Sequence, residues 1–166
     1  MKKYTKKEIT EFLMESNAIE GVYGAESLKQ AEYAWANLAK ATKLTKGVIL
    51  RTHKILMLKQ PLLPDYKGYF RKCRVWIGGR EGLKWELIPE EIEVWLKEMN
   101  RLPVMKNNLE EISQKLHVGY EEIHPFADGN GRTGRMFMNW WRMRNNLPIL
   151  IIHEGDEQMA YYQWFK

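Results

Sequence analysis

Apolar residues along much of the chain recur at helical spacing. Thr5 and Glu8 have the spacing of a capping box, and Ile9, Phe12, Leu13 and Ser16 follow on one face, which predicts a helix running to Gly21. Ala31, Ala34, Trp35 and Leu38 mark a second helix. Thr45 is placed to cap a third, with Val48, Ile55 and Leu56 turned inward, before Pro61 and Pro64 end it. Pro89 opens a fourth, whose face is Ile92, Trp95, Leu96 and Met99. After Pro103 a fifth is written by Leu109, Ile112, Leu116, Tyr120 and Ile123, and a sixth starts near Gly131 and runs to about Asn145.

Between the third and fourth helices the period changes to two. Arg71, Cys73, Val75 and Ile77 alternate with Lys72, Arg74 and Trp76, and Leu83, Trp85 and Leu87 form a matching run. Gly78, Gly79 and Gly82 supply the turn of a β-hairpin. A lone hairpin is marginal in water, so the expected fold is mainly α, with one hairpin leaning on the helices. No repeat, low-complexity tract or long linker interrupts the 166 residues, and one continuous domain over 1–166 is expected.

Composition narrows this only slightly. An apolar fraction of 45% is ordinary for a globular chain, and no apolar run approaches the length of a membrane span. Glu8 and Glu11 occupy the place of a signal peptide's apolar region, and the single Cys73 excludes an internal disulfide, so a cytoplasmic protein with no membrane partner is expected. The net charge of +5 is spread over N-terminal lysines and helix faces. With no nucleic-acid motif beside it, that charge reads as a solvated surface, and no nucleic-acid partner is expected.

The chemistry concentrates in HPFADGNGRTGR, from His124 to Arg135. Gly129, Gly131 and Gly134 spell G-x-G-x-x-G, but the segment before them is helix-patterned rather than a strand, which argues against a dinucleotide fold. No Walker A sequence occurs. What remains is a helix, a tight glycine-rich loop and a second helix. Backbone N–H groups at Gly129, Asn130 and Gly131, at a helix N-terminus, form a nest for phosphate oxygens. Arg132 and Arg135, three apart on the new helix, lean toward one polyphosphate. Asp128 offers a hard oxygen ligand suited to Mg²⁺, and a neutral imidazole at His124 is placed to take a proton from an incoming hydroxyl.

His124, Phe126, Asp128, Gly129, Asn130, Gly131, Arg132 and Arg135 match, position for position, the signature H-x-F-x-[D/E]-G-N-G-R-x-x-R, and on these residues the chain resembles the Fic family. The resemblance implies a Fic-type helical bundle, with the segment 69–88 as a flap hairpin beside a helix-loop-helix core at 107–146. It implies transfer of AMP from ATP to a Tyr, Thr or Ser hydroxyl of a target protein, with release of pyrophosphate. His124 is then the base, Asp128 the Mg²⁺ ligand, Asn130, Arg132 and the loop amides the stabilisers of transferred charge, and Arg135 the holder of the γ-phosphate. Phe126 anchors the loop. Tyr161 and Tyr162 fall near positions that line the family's adenine pocket, and Val75 and Ile77 are the flap contacts to an extended target. The Doc branch, which phosphorylates, lacks the intact GNGR run kept here. Phosphocholine or UMP donors, and a non-catalytic nucleotide-binding module, stand as alternatives. A second copy of the chain is left open as a partner. The chain stops at Lys166, before the end of a typical family core.

One further pattern lies upstream. Glu20 continues the inward face of the first helix, and a carboxylate near a helix C-terminus needs a cationic partner when buried. Ser16, Glu20 and Gly21, in SNAIEG, fit the family's inhibitory pattern [S/T]-x-x-x-E-[G/N]. By that resemblance, residues 1–21 form an inhibitory helix in which Glu20 pairs with Arg135 where the γ-phosphate would sit. In some relatives the same glutamate orients a water that removes AMP.

Overall fold

The structure, a computed structural model, describes residues 3–101 and 108–166. The expected break at Pro103, residue 107 at the start of the helix-loop-helix segment and the first two residues of the N-terminal helix lie outside the described residues. The architecture is mainly α-helical: α1 Lys6–Ala18, α2 Ala25–Leu38, α3 Lys46–Leu56, α4 Ile88–Asn100, α5 Leu109–Ile123, α6 Asn130–Arg144 and α7 Asp156–Tyr162, with β1 Trp76–Ile77 and β2 Arg80–Glu81 paired between α3 and α4. No helix among the described residues is long and apolar enough to cross a membrane.

The chain folds around α6. Every residue from Arg132 to Met143 is buried, although several are polar. Burial of polar groups is tolerated only with partners, and most are supplied, Arg132 Nε being left without one among the described residues. Asn139 exchanges bonds of 3.0 and 2.8 Å with the backbone of Leu150, and Arg142 reaches Glu110, Ser113 and the Pro148 carbonyl. The helices α1 and α5 flank α6, α2 and α3 pair beyond α1, and α4 closes over α5. Phe12, Trp35, Trp95, Tyr120, Phe137 and Trp140 fill the space between them.

Local signals account for several of these elements. The capping box at α1 forms: the Thr5 hydroxyl accepts from Glu8 N–H, and Glu8 accepts from Thr5 N–H at 2.7 Å. Thr45 caps α3, and α4 buries the expected Ile92, Trp95, Leu96 and Met99. The structure corrects other expectations. In α3 the buried face is Ile49, Thr52, His53 and Leu56, while Val48 and Ile55 are half-buried; His53 turns inward because both ring nitrogens find partners. In α5 the deepest residues are Ser113, His117, Tyr120, Glu121 and Ile123, with Leu109, Ile112 and Leu116 only partly covered. The hairpin is short. Trp76 pairs with Glu81 and Ile77 with Arg80, around Gly78 and Gly79 at φ of 56° and 82°, the turn type that matches strand twist. Trp85 and Leu87 do not extend it; they form a single 3₁₀ turn leading into Pro89 and α4. Helix α7 has no counterpart in the apolar pattern.

Candidate active site

Three elements converge on one cavity of about 570 Å³: the α5–α6 loop, the turn after α1 and the start of the hairpin, with α7 as its fourth wall. Glu20, Ile77, His124, Gly131, Arg135 and the pair Tyr161–Tyr162 line it.

The loop owes its shape to residues that glycine and a few buried partners fix. His124 ends α5 in the left-handed region, at φ 47°, and Gly129 starts α6 at φ 79°. Between them Asn130 closes the loop on itself: its side-chain oxygen accepts from Phe126 N–H and its amide donates to the Phe126 carbonyl, both at 2.9 Å. The Asn130 side chain is thus committed to the backbone, and what it turns toward a ligand is its N–H. Phe126 is fully buried and stacks on His53 with ring centroids 3.7 Å apart. His53 accepts from Gly68 N–H at Nδ1 and donates from Nε2 to the Asp128 carbonyl, each at 2.9 Å, so its tautomer is fixed and its buried ring is pushed down to about 4, neutral at ordinary pH.

His124 is half-buried. Its Nδ1 lies 3.2 Å from the Glu121 carbonyl, which places the proton on Nδ1 and leaves the Nε2 lone pair as the base. Burial lowers its proton affinity, and Arg71 adds to that, so the imidazole is neutral and able to accept. Arg71 is itself buried. Its guanidinium donates to the His124 carbonyl at 2.7 Å, to the Cys73 carbonyl at 2.8 Å and to the Leu83 carbonyl at 2.6 Å, tying the end of α5 to the hairpin.

Around the N-terminus of α6 the groups are cationic or N–H donors. The first N–H groups of a helix have no carbonyl one turn back to bond, and they point at whatever sits in the loop. Arg132 is buried with its Nη2 3.3 Å from Met57 Sδ and 3.9 Å from Asp128 Oδ2. Asp128 is mostly exposed; its Oδ1 accepts from Gly129 N–H at 2.6 Å. One exposed carboxylate beside a nest of N–H donors fits Mg²⁺, which takes one or two protein carboxylates and fills its shell with phosphate oxygens and water. No cluster of three potential metal ligands exists among the described residues.

Arg135 is 2% exposed, and the α1 end surrounds it. Its Nε donates to Ser16 Oγ at 2.9 Å, and Nη2 donates to the Ser16 carbonyl and to Glu20 Oε1, each at 2.8 Å. Nη1 donates to the Tyr161 hydroxyl at 3.2 Å. Glu20 lies so close above Gly131 that a Cβ there would collide with its carboxylate. It does not continue the α1 face as the apolar spacing suggests. The helix ends at Ala18, Gly21 takes φ 66°, and Glu20 hangs from the turn with its side chain 38% exposed, reaching back to the α6 N-terminus.

The remaining predicted residues are placed unevenly. Ile77 lines the cavity, whereas Val75 packs under Gly82; Trp76 between them points out, 65% exposed. Tyr161 is buried and shares its hydroxyl between Arg135 and His117 Nε2, while Tyr162 is partly exposed at the rim. Sequence reasoning passed over His53, Met57, Arg71 and Glu121. A histidine among the apolar positions of α3 and an arginine at an inward position of the alternating run were the available signals.

A sequence profile of the Fic/DOC family matches residues 43–141, more than half of the chain, and the chain belongs to that family. It is 30% identical over 140 residues to the protein adenylyltransferase Fic of Drosophila grimshawi, covering 81% of this chain and 27% of that protein. The Drosophila erecta protein of the same name is 31% identical over 139 residues with the same coverage, so the chain spans little more than a quarter of these relatives. Among solved structures, Fic-1 from C. elegans shares the fold at a TM-score of 0.81 and 19% identity, covering 96% of this chain and 55% of that one. A Fic domain containing signaling protein from Bacteroides thetaiotaomicron does so at 0.76 and 20%, covering 95% and 70%.

Proposed function

We propose that this chain is an adenylyltransferase that moves AMP from ATP to a Tyr, Thr or Ser hydroxyl of a protein, and that Glu20 restrains it. The observation that carries the reading is the anion already seated at the site. The Glu20 carboxylate lies on Arg135, over Gly131 at the α6 N-terminus, in the cavity that also holds His124. A cradle that binds one carboxylate through a buried guanidinium and helix dipole suits a phosphate equally well. The adenylyltransferase name of the Drosophila relatives and the intact H-x-F-x-D-G-N-G-R-x-x-R sequence point to ATP as the donor.

In this mechanism the hydroxyl oxygen attacks the α-phosphorus while His124 Nε2 takes its proton. The bond to the bridging oxygen breaks and pyrophosphate leaves. The N–H groups of Asn130 and Gly131, with Arg132, neutralise charge that grows on the transferred group, while the Gly129 N–H holds the Asp128 carboxylate. Arg135 holds the γ-phosphate once Glu20 has swung away. Asp128 would hold Mg²⁺, which supplies charge neutralisation on the phosphates when bound. Tyr161 and Tyr162 form the wall on which adenine rests, and Ile77 at the hairpin guides an extended target segment toward His124.

The test is label transfer from ATP carrying its label on the α-phosphate, with Mg²⁺, to proteins of a host lysate and to the chain itself. Glu20→Gly should raise incorporation by at least tenfold over the unaltered chain, an amount on the order of one charged hydrogen bond. Glu20→Gly combined with His124→Ala should return it to background. Equal labelling with and without Glu20 removes the restraint, and labelling that survives loss of His124 removes the base.

A further inference from the structure

Glu121 sits on α5 one turn before His124 and has no part in the steps above. Its side chain is buried between α5 and α6, and it is accommodated because residue 134 is glycine: a Cβ there would run into Glu121 Oε1 and into His117 Cε1 at 2.9 Å. Oε2 stands 3.6 Å from His124 Nδ1, the nitrogen that also faces the Glu121 carbonyl. Oε1 has no hydrogen-bond partner among the described residues. A buried carboxyl with an open oxygen is costly unless it is neutral or has work near a charge.

We propose that Glu121 is a positioning residue for His124, a buried carboxyl whose Oε2 faces Nδ1 and whose carboxylate form supports the imidazolium formed when the hydroxyl proton is taken. The inference rests on the base role given to His124 above. The Glu121 proton is released to solvent as it ionises, before the attack, and none crosses between the two residues: the hydroxyl proton ends on Nε2, the Nδ1 proton stays where it is, and the positive charge so created lies beside the Oε2 carboxylate. Two oxygens of one residue, the backbone carbonyl and Oε2, thereby face Nδ1.

The charged and titratable groups around Glu121 set when it ionises. Arg135 approaches from α6, Glu20 from the turn after α1, Tyr161 from α7 and His117 from the preceding turn of α5. Arg80 of the hairpin and Lys166 stand across the cavity. Burial pushes the carboxyl up to about 8, Arg135 opposes this and Glu20 adds to it. Burial lowers the imidazole, so near neutrality the pair rests uncharged, with His124 able to accept a proton.

The experiment follows His124 and Glu121 together by NMR in the unaltered chain, then in Glu121→Gln, which keeps the shape and removes the ionisation. The His124 ring-nitrogen shifts should move as the Glu121 carboxyl carbon titrates near pH 8, and the step should vanish in Glu121→Gln. In the Glu20→Gly background, AMP transfer should rise several-fold as Glu121 ionises and stay level through the same interval in Glu20→Gly/Glu121→Gln. A ring that does not respond to the carboxyl in the unaltered chain overturns the proposal without any variant. A Glu121→Gln profile that follows the unaltered one overturns it as well. Absence of transfer in every form, with the NMR step intact, refutes the transferase reading while supporting the pairing of Glu121 with His124.

Discussion

Gly129 shows how much of the site depends on a single absent side chain. It holds φ 79°, and a Cβ at this position would meet Met57 Sδ at 2.8 Å and the His53 ring at 3.5 Å. The left-handed backbone costs any other residue, and the contact falls on the two side chains that support the loop from α3. Gly129→Ala should therefore lower stability by about 1–3 kcal/mol, read as a fall in Tm, and should reduce transfer further by disturbing His53 and the Asp128 carbonyl it bonds. A variant that melts normally would mean that the loop tolerates the shift. The same logic applies to Asn130. Its motif position suggests contact with substrate, yet both polar atoms of its side chain bond Phe126, so its contribution is to hold the donors in place.

Helix α1 joins a local signal to a distant consequence. Its N-terminus is fixed by Thr5 and Glu8, and its far end carries Ser16 and the turn that presents Glu20 to Arg135. Thr5→Ala should cost about 1 kcal/mol of helix stability. If α1 must stay docked to keep Glu20 in place, labelling from ATP should rise in Thr5→Ala, though by less than in Glu20→Gly; an unchanged rate would separate the cap from the restraint. The cap was legible because both its residues lie within four positions. The active-site loop was legible because its chemistry is contiguous. By contrast, the extent of the hairpin depends on where Trp85 and Leu87 find cover, and the inward turn of His53 depends on Gly68 and Asp128. Glu20 was found by pattern and its pairing foreseen, but its geometry was not. Spacing alone carries the helix past Ala18, whereas Gly21 in the left-handed region ends it. Glu121 was missed because only the assembled α5–α6 contact buries it.

At the scale of the whole molecule, the buried titratable groups set a pH window for stability. His53 and His117 are pushed down by burial to about 4 and about 3, so they stay neutral in the fold while the unfolded chain takes up protons below its usual 6.5. Their contribution is present above about 6.5 and is lost as pH falls toward those values. Glu121 runs the other way. Raised from 4.5 to about 8, it contributes fully below 4.5, and that contribution declines as pH rises through about 8. From 4.5 to 6.5 the lowered histidines, His124 among them, outweigh the one carboxyl, and above that range the Glu121 carboxyl and the raised His153 bring the decline, so Tm should peak close to neutrality. Glu121→Gln should flatten the alkaline decline and, because the lost carboxyl opposes the histidines between 4.5 and 6.5, steepen the acid limb; a decline that persists would assign it to another group.

The contact between Glu20 and Arg135 spans 115 positions of sequence, and the carboxylate comes first. On a ribosome, Glu20 and the Thr5–Glu8 capping residues are made long before the codons for the α5–α6 loop are read. When Arg135 arrives it must leave water to enter the core, and its counterion is already made. The order of translation therefore delivers the carboxylate before the guanidinium it pairs with, so the buried cation meets its counterion within its own chain.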